Sequence, residues 1–314
     1  MRKEIGGYIE LDKYTLPMLH EEALALNCGR NCLAYLIEAR GIRKLYLPRF
    51  ICDSVINVAK KYNVIIRFYN IDFEFEPYNL DTLQKDEWLY LINYYGQFDR
   101  KYYEEMVAIY ERVIVDQTHS YFDEPISGAD SIYTCRKYFG VANGAFLYTN
   151  SVLEKKLPVD ESFGRMKFVL GRFERSAEEF FGEACYNNAF FDGEPIKTMS
   201  KLTKNLLHGI NYNLVESVRV NNFRYLHKSL EKVNMIKIRK IGTFMYPFMV
   251  KDGEKTRKKL QNLKIYIPKL WPEVRKDFEV EYALASNIIP LPIDQRYDIV
   301  DMKFVLEAIE SLMQ

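Results

Sequence analysis

The sequence predicts an α/β protein with a mostly parallel sheet, helices on both of its faces and a smaller α+β domain near the carboxyl end. Helix-like and strand-like runs alternate through residues 23–72, and the alternation continues to residue 148. Such alternation favours a parallel sheet that helices cover on both faces. Strand signals return after Asn234. A chain of 314 residues also has room for two domains of about 150 residues each.

The predicted elements follow in order along the chain. Apolar periodicity predicts strands at 44–47, 64–69, 88–93, 113–115, 131–134 and 145–148, and helices at 31–40, 53–62 and 102–112. Residues 151–232 are charged and mainly helical, with an amphipathic stretch at 163–181, and we expect them to connect the domains and to contact a second subunit. The last part of the chain predicts strands at 236–238, 245–250 and 288–291, a helix at 254–262 and a final helix from Val300. The predicted domains are therefore 1–232 and 233–314.

The composition excludes several classes of function. Lys and Arg together number 44 and Asp and Glu 43, and a net charge of +1 gives no overall field that attracts nucleic acid or an anionic membrane. The five cysteines are an odd number without a Cys-x-x-Cys pair, which favours a reducing compartment, and no metal site is predicted. No stretch approaches the roughly 18 apolar residues of a membrane span. We expect a cytoplasmic protein that binds small molecules at a local site.

A first candidate site is the segment 27–31, Asn-Cys-Gly-Arg-Asn, which opens the first predicted helix. Gly29 before a helix amino terminus lets backbone N–H groups approach a phosphate, and the helix dipole favours the negative charge. A plain helix start, with Arg30 on the surface, is the alternative reading of the same residues.

A second candidate is Asp116, which ends the apolar run Val-Ile-Val at 113–115. A carboxylate at the carboxyl end of a central strand faces the region where such sheets bind ligands. Burying that charge is costly unless a cationic group pairs with it. His119 follows three residues later and could contact the same ligand, although an Asp that caps a turn and an ordinary polar His would give the same pattern.

A third candidate is Lys137, which lies between a predicted strand and the turn at Gly140. Thr134 and Arg136 flank it, so the lysine is a plausible amine nucleophile beside an anion site. A solvated Arg-Lys pair on a loop is the alternative. The order of the three candidates along the chain favours the functional interpretation.

These motifs, in this order, resemble the nucleotide-sugar aminotransferases, the DegT/StrS-like branch of the fold-type-I pyridoxal-phosphate enzymes. The resemblance covers almost the whole chain. It includes the opening segment 5–10, the proline-marked loop from 47–50 through 70–72, and the closing Leu-Pro segment 291–297. The family implies a pyridoxal 5'-phosphate cofactor, a homodimer, an amino donor that is usually glutamate, and a keto-sugar acceptor carried on a nucleotide.

The resemblance also implies roles for individual residues. Gly29 and Arg30 match the pair whose backbone holds the cofactor phosphate, and Thr134 matches a hydroxyl that adds a further phosphate contact. Asp116 matches the acid that binds the pyridine nitrogen. His119 matches a position, usually Gln or His, near the phenolic oxygen of the cofactor.

Lys137 matches the lysine that binds the cofactor as an imine. Cys52 stands where the family often has an aromatic residue that stacks on the cofactor ring, so Phe50 or another ring is expected to take over that contact. Tyr94 and Tyr95 lie where the family has a strand-end segment close to the ring.

Three alternatives stay open at this point. A sugar dehydratase of the same cofactor class would carry His where this chain has Lys137. A cofactor-binding regulator or sensor without turnover is compatible with the departure at Cys52 and with a lysine segment one residue shorter than the common form. A doubly wound domain that binds some other phosphate ligand is the third.

Overall fold

The protein is described by a computed structural model of residues 5–313. The first four residues of the predicted large domain and the last residue of the predicted small domain lie outside the described range. Within that range, no helix combines the length and the apolar character that crossing a membrane requires.

The described strands and helices have the following bounds. The strands are β1 (Leu24–Leu26), β2 (Lys44–Pro48), β3 (Ile65–Ile71), β4 (Pro77–Tyr78), β5 (Glu87–Ile92), β6 (Val113–Asp116), β7 (Asp130–Thr134), β8 (Ala145–Tyr148), β9 (Met245–Met249) and β10 (Ile288–Pro292). The helices are α1 (Gly29–Arg40), α2 (Asp53–Lys61), α3 (Arg100–Tyr110), α4 (Lys167–Glu174), α5 (Phe181–Phe190), α6 (Lys201–Leu207), α7 (Tyr212–Leu230), α8 (Gly253–Asn262), α9 (Glu279–Asn287) and α10 (Ile299–Met313).

The main sheet has eight strands in the order β1-β8-β7-β6-β5-β2-β3-β4. The five inner strands β7, β6, β5, β2 and β3 run parallel, whereas β8, β1 and β4 join them through antiparallel pairs. The predicted fold class, a mostly parallel sheet with helices, is confirmed. Parallel strands end at one edge of the sheet, and the connections that leave this edge carry the residues of interest.

Local signals set the helices that border this edge. Helix α1 begins after Cys28 and ends at Arg40. The next residue, Gly41, has a φ of 61°, a left-handed conformation that glycine adopts without strain and that terminates the helix. Helix α3 begins after Asp99, whose side chain accepts a hydrogen bond from the Tyr102 N–H.

The sequence missed three elements and placed one wrongly. Strands β1 and β4 and helix α9 were not expected, and residues 236–238 form no strand. The Ile236 N–H donates a hydrogen bond to the Asn234 side-chain oxygen at 3.3 Å. This local bond occupies a backbone donor that would otherwise pair with a neighbouring strand. The same oxygen accepts from the Met249 N–H at 2.9 Å.

Two hydrophobic cores lie in the described residues. The larger one underlies the main sheet, and the smaller one is built by β9, β10, α8 and α10 together with Phe223, Leu226 and Leu230 of α7. Helix α7 therefore supplies apolar side chains to the carboxyl-terminal core before residue 233. The domain boundary at 232 and 233 stays a prediction.

Arg219 on α7 joins the two parts of the molecule. Its side chain is 1% exposed, and it donates to the Tyr138 carbonyl at 3.2 Å, to the Thr243 carbonyl at 2.7 Å and to Gln295 Oε1 at 2.8 Å. Burial lowers the pKa of Arg219 to about 10, which leaves the guanidinium charged at neutral pH. Since Tyr138 directly follows Lys137, this side chain fixes the lysine loop against the carboxyl-terminal part.

We expect Arg219→Met to lower the free energy of unfolding by about 1–3 kcal/mol, because buried carbonyl groups lose their donors. Urea unfolding followed by circular dichroism measures the change. Arg224→Met is the matched control, since Arg224 is exposed on the same helix, and exposed substitutions usually stay within about 0.5 kcal/mol. Equal free energies for both variants would contradict the bridging role.

Candidate active site

The predicted site residues meet at the carboxyl edge of the parallel strands. Asp116 ends β6, and Thr134 ends β7. Gly29 begins α1 directly after β1, and Cys52 precedes α2. Lys137 lies in the connection between β7 and the antiparallel β8, whose paired ends are Thr134 and Ala145.

Asp116 is the buried charge of this region. Its side chain accepts a hydrogen bond from the Tyr90 hydroxyl at 2.8 Å and from the Thr118 N–H at 2.9 Å. A carboxylate offers about four acceptor positions, so the two donors fix its orientation and leave capacity for a further N–H. Burial and the neighbouring Asp116 charge both raise the pKa of Tyr90, which keeps this hydroxyl a donor.

Lys137 is linked to Asp116 through one residue. Its ammonium donates to Thr118 Oγ1 at 3.1 Å, and it lies 5.4 Å from the centre of the Phe244 ring. The side chain is open to solvent on one side, yet the protein around it desolvates the amine and lowers the pKa of Lys137. The charge of Asp116 opposes that shift. A larger fraction of the amine is therefore unprotonated than in a free lysine.

His119 is held as a neutral ring. Its Nδ1 accepts from the Tyr95 N–H at 3.3 Å, and the ring stacks on Phe244 with centroids 4.1 Å apart. Desolvation lowers the pKa of His119 well below its ordinary value, and the Lys137 charge acts in the same direction. With Nδ1 as acceptor, the proton of the neutral ring resides on Nε2, which makes that nitrogen a donor for a ligand oxygen.

Tyr95 has a left-handed backbone, with φ of 55°. This conformation is unfavourable for a tyrosine, and it places the backbone N–H of Tyr95 at the His119 ring. Of the two strand-end tyrosines, Tyr95 thus contacts His119 through a backbone group, and its expected role at the site stays a prediction. Tyr94 instead bonds the carbonyl of Phe50 through its hydroxyl at 2.5 Å.

The residue that replaces the expected stacking aromatic is not Phe50. Phe50 is fully buried and packs on Trp271, with ring centroids 4.2 Å apart, so neither face is open to a ligand. Cys52 is half-buried, and its Sγ lies 2.8 Å from Ser54 Oγ. The Lys137 amine lies over the Phe244 ring, which stacks on His119.

The start of α1, with Gly29 and Arg30, lies beside Thr118. A methyl group on Gly29 would lie 4.0 Å from Thr118 Cγ2, so the start of α1 adjoins the side chain that binds Lys137. Arg30 and Arg136 meet there, and the Nε atom of each is buried without a hydrogen-bond partner. These orphaned donors fit an anion such as a phosphate.

The groups at the site are also contacted by residues that were not predicted, among them Tyr90 at Asp116, Thr118 and Phe244 at Lys137, and Asn188 at Arg30 and Arg136. Thr118 could have been found, because it follows Asp116 by two residues at the end of a predicted strand. Phe244 and Asn188 come from distant segments that contact the site only in the folded chain. No signal at their own positions distinguishes them.

Solved structures share this architecture. The sugar aminotransferase CalS13 from Micromonospora echinospora is 14% identical, has a TM-score of 0.60 and matches 92% of this chain and 87% of its own. A DegT DnrJ EryC1 StrS aminotransferase from Brucella abortus is 12% identical, with a TM-score of 0.57 over 92% of this chain and 85% of its own. NtdA from Bacillus subtilis, solved with bound cofactor PMP, is 10% identical, with a TM-score of 0.60 over 92% of this chain and 72% of its own.

The chain has the fold of these aminotransferases. No protein-family model and no curated protein sequence matches this chain. At 10–14% identity the likeness concerns the fold of the backbone. The chemistry of the site is therefore inferred from the side chains of this chain.

The side chains fit a fold-type-I pyridoxal-phosphate site. Lys137 offers an amine with a lowered pKa, and Asp116 offers a buried carboxylate with spare acceptor capacity. The start of α1 with its two orphaned guanidinium nitrogens offers a phosphate subsite. An aldehyde, a pyridine nitrogen and a phosphate are the three groups that such a cofactor presents.

We expect Asp116→Asn to lower the pKa of Lys137 further, because the carboxylate charge that favours the ammonium is removed. The rate of trinitrophenylation of Lys137 would then reach half its maximum at a lower pH than in the wild type. Mass spectrometry of peptides measures the rate of Lys137 modification in the wild type and in the variant, with the exposed Lys258 as internal reference. A midpoint that stays in place or moves to higher pH would show that the two groups do not interact.

Proposed function

We propose that the chain is a pyridoxal-phosphate-dependent aminotransferase that moves an amino group from an amino acid, with glutamate as the first candidate, to a nucleotide-linked keto sugar. The observation that carries the proposal is the hydrogen-bonded line from Lys137 through Thr118 to Asp116 at the carboxyl edge of the sheet. It joins an amine nucleophile to a buried acid through one residue, Thr118, whose hydroxyl accepts from the amine and whose backbone N–H donates to the carboxylate.

Each residue has a defined task in this reaction. Bound pyridoxal phosphate would withdraw electrons from the amino carbon of the donor so that its proton can leave. Lys137 would hold the aldehyde carbon and then carry a proton as general base and acid. Asp116 would keep the ring nitrogen protonated by placing an opposite charge beside it, and Thr118 would orient the lysine amine.

His119 would orient the cofactor from the side. Its neutral ring carries a proton on Nε2, which suits a hydrogen bond to a phenolic oxygen. Phe244 lies against both His119 and the Lys137 amine, and it limits water on that side of the site.

The substrate class is supported by analogy. CalS13 is named a sugar aminotransferase, and it shares the fold over most of both chains. Glutamate, the nucleotide and a role in polysaccharide or other amino-sugar synthesis come from the resemblance in the motifs. A cytoplasmic location is supported by the cysteines, all five of which are free thiols.

Two alternatives make different demands on the site. A sugar dehydratase of this class has His at the position of Lys137, so the lysine disfavours it. A cofactor-binding sensor would have the same lysine linkage without turnover, and the two are separated by whether an amino donor converts the bound cofactor.

We expect Lys137→Ala to lose both the covalent link and the proton carrier. Borohydride should fix pyridoxal phosphate on Lys137 of the wild type and none on the variant. The single-turnover reaction with glutamate, followed by absorbance, should slow by about 10²–10⁴-fold, the range for a positioned acid–base group.

Lys258→Ala is the matched control, because Lys258 is exposed on α8, and it should behave as the wild type. Cofactor found on another lysine, or an undiminished rate in Lys137→Ala, would disprove the assignment. Covalent binding without conversion by any donor would favour the sensor.

We further propose a homodimer, with the region around α4 and α5 at its interface. None of the residues of α4 is buried, and Leu170 and Phe173 are 60% and 92% exposed. Phe181 and Tyr186 on α5 are also exposed. A contiguous exposed apolar face of this kind is typical of an interface.

The amino-terminal arm supports the same arrangement. Ile5, Tyr8 and Ile9 are each more than 90% exposed, in a segment without regular secondary structure. Apolar side chains that find no core within their own chain are stabilised by contact with a second copy.

We expect the double variant Leu170→Asp, Phe173→Asp to shift the protein from dimer to monomer, because two charges would be buried at the interface. Sedimentation velocity at micromolar concentration measures the shift. Val152→Asp is the control, since Val152 is 78% exposed outside this face. A wild type that sediments as a monomer with cofactor bound would refute the dimer.

A further inference from the structure

Two arginine side chains meet at the start of α1. Arg30 donates to the Asn188 carbonyl at 2.9 Å and to Asn188 Oδ1 at 3.4 Å, and Arg136 donates to the same Oδ1 at 3.2 Å. Because both guanidinium groups contact one oxygen atom, they are close enough to share one ligand.

The charge of this pair is poorly neutralised. The Nε atoms of Arg30 and Arg136 are both buried and have no hydrogen-bond partner. The contacts of Arg136, the Asn188 amide oxygen and the Phe191 ring at 4.7 Å, are neutral. Asp192 lies 3.5 Å from Arg30 Nε, but the geometry makes no hydrogen bond and the carboxylate is 57% exposed.

The surroundings make the imbalance costly. Burial lowers the pKa of Arg136 to about 10, and the nearby Arg30 and Arg165 charges act in the same direction. Arg165 has its own partner in Asp160 at 2.8 Å and Arg30 has the exposed Asp192 at 3.5 Å, so among these three the guanidinium without a carboxylate partner is that of Arg136. A buried charge without a partner destabilises the fold until an anion neutralises it.

The end of α1 adds to this site. The first N–H groups of a helix have no intrahelical acceptor, and Cys28 at the start of α1 makes no side-chain cap. The helix dipole also favours an anion there. Gly29 adjoins Thr118, which binds the Lys137 amine, so the start of α1 and the amine both lie beside one side chain.

We propose that the side chains of Arg30 and Arg136 form a guanidinium clamp on one phosphate dianion, and that this phosphate belongs to the cofactor. The assignment to pyridoxal phosphate rests on the proposed function, whereas the clamp itself rests on the two orphaned donors. Guanidinium groups form charge-assisted bonds with phosphate oxygens that are stronger than the backbone contacts of a helix start alone. The clamp would therefore select the phosphorylated cofactor over its dephosphorylated form.

The test compares pyridoxal phosphate with pyridoxal, which has the same ring and aldehyde but no phosphate. Equilibrium dialysis of the full chain gives both dissociation constants. We expect Arg136→Gln to raise the dissociation constant of pyridoxal phosphate by about 10–100-fold, the loss for one or two charged hydrogen bonds. The dissociation constant of pyridoxal should stay within about twofold of the wild-type value. Arg136→Lys should lose less, because a point charge remains.

Arg224→Gln is the matched control, since Arg224 is an exposed arginine on α7, away from the proposed dimer interface. It should bind both compounds as the wild type does. An equal loss for both compounds in Arg136→Gln would indicate a general structural defect and overturn the clamp. A wild type that binds pyridoxal as tightly as pyridoxal phosphate would overturn it as well.

A second arm identifies the source of the phosphate. Uridine diphosphate is titrated by calorimetry into protein already loaded with pyridoxal phosphate. We expect Arg136→Gln to leave its affinity unchanged. If the affinity for uridine diphosphate falls while that for pyridoxal phosphate holds, the clamp serves a nucleotide substrate and the assignment to the cofactor is wrong.

A third arm separates the clamp from the proposed function. If the wild type forms no covalent link with either pyridoxal compound, the aminotransferase proposal fails. Inorganic phosphate then tests the clamp by thermal unfolding. Stabilisation of the wild type but not of Arg136→Gln would support a phosphate clamp, and equal responses would overturn it.

Discussion

The buried carboxylate of Asp116 is the constraint on which the rest of the site depends. A charge at the end of a central strand is tolerated when fixed donors surround it, and here Tyr90 and Thr118 supply them. Thr118 then uses its hydroxyl for Lys137, so satisfying the acid also positions the amine. Asp116 also affects the protonation of Lys137. Burial lowers the pKa of the lysine, and the Asp116 charge raises it.

The carboxyl-terminal part completes the site that the main sheet begins. Arg219 binds carbonyl groups on both sides, one beside Lys137 and one beside Phe244. Phe244 in turn covers His119 and approaches the lysine amine. The position of the amine is therefore set by contacts between segments that are distant in sequence, and a change in how the two parts pack would move both the lysine loop and its aromatic cover.

The sequence predicted the inner sheet and most of its helices because their apolar runs are long and their turns carry Gly or polar caps. It missed β1, which has three residues and forms only by pairing with β8 far along the chain. It also placed a strand at 236–238, where the Asn234 side chain takes the backbone N–H of Ile236. Asp116 and Lys137 could be singled out as candidates because they lie at or just after the ends of predicted strands, whereas the contacts of Phe244 and Asn188 depend on tertiary packing.

Helix α5 carries both exposed apolar side chains and a contact to the arginine pair. Phe181 and Tyr186 are exposed on it, and Asn188 near its end touches both guanidinium groups. A second subunit packed on the exposed side and a phosphate held by the arginines would each restrain this one helix. Two events that restrain the same element are thermodynamically coupled, and the coupling is reciprocal. Dilution would then loosen the hold on the cofactor, and loss of the cofactor would weaken assembly by the same free energy.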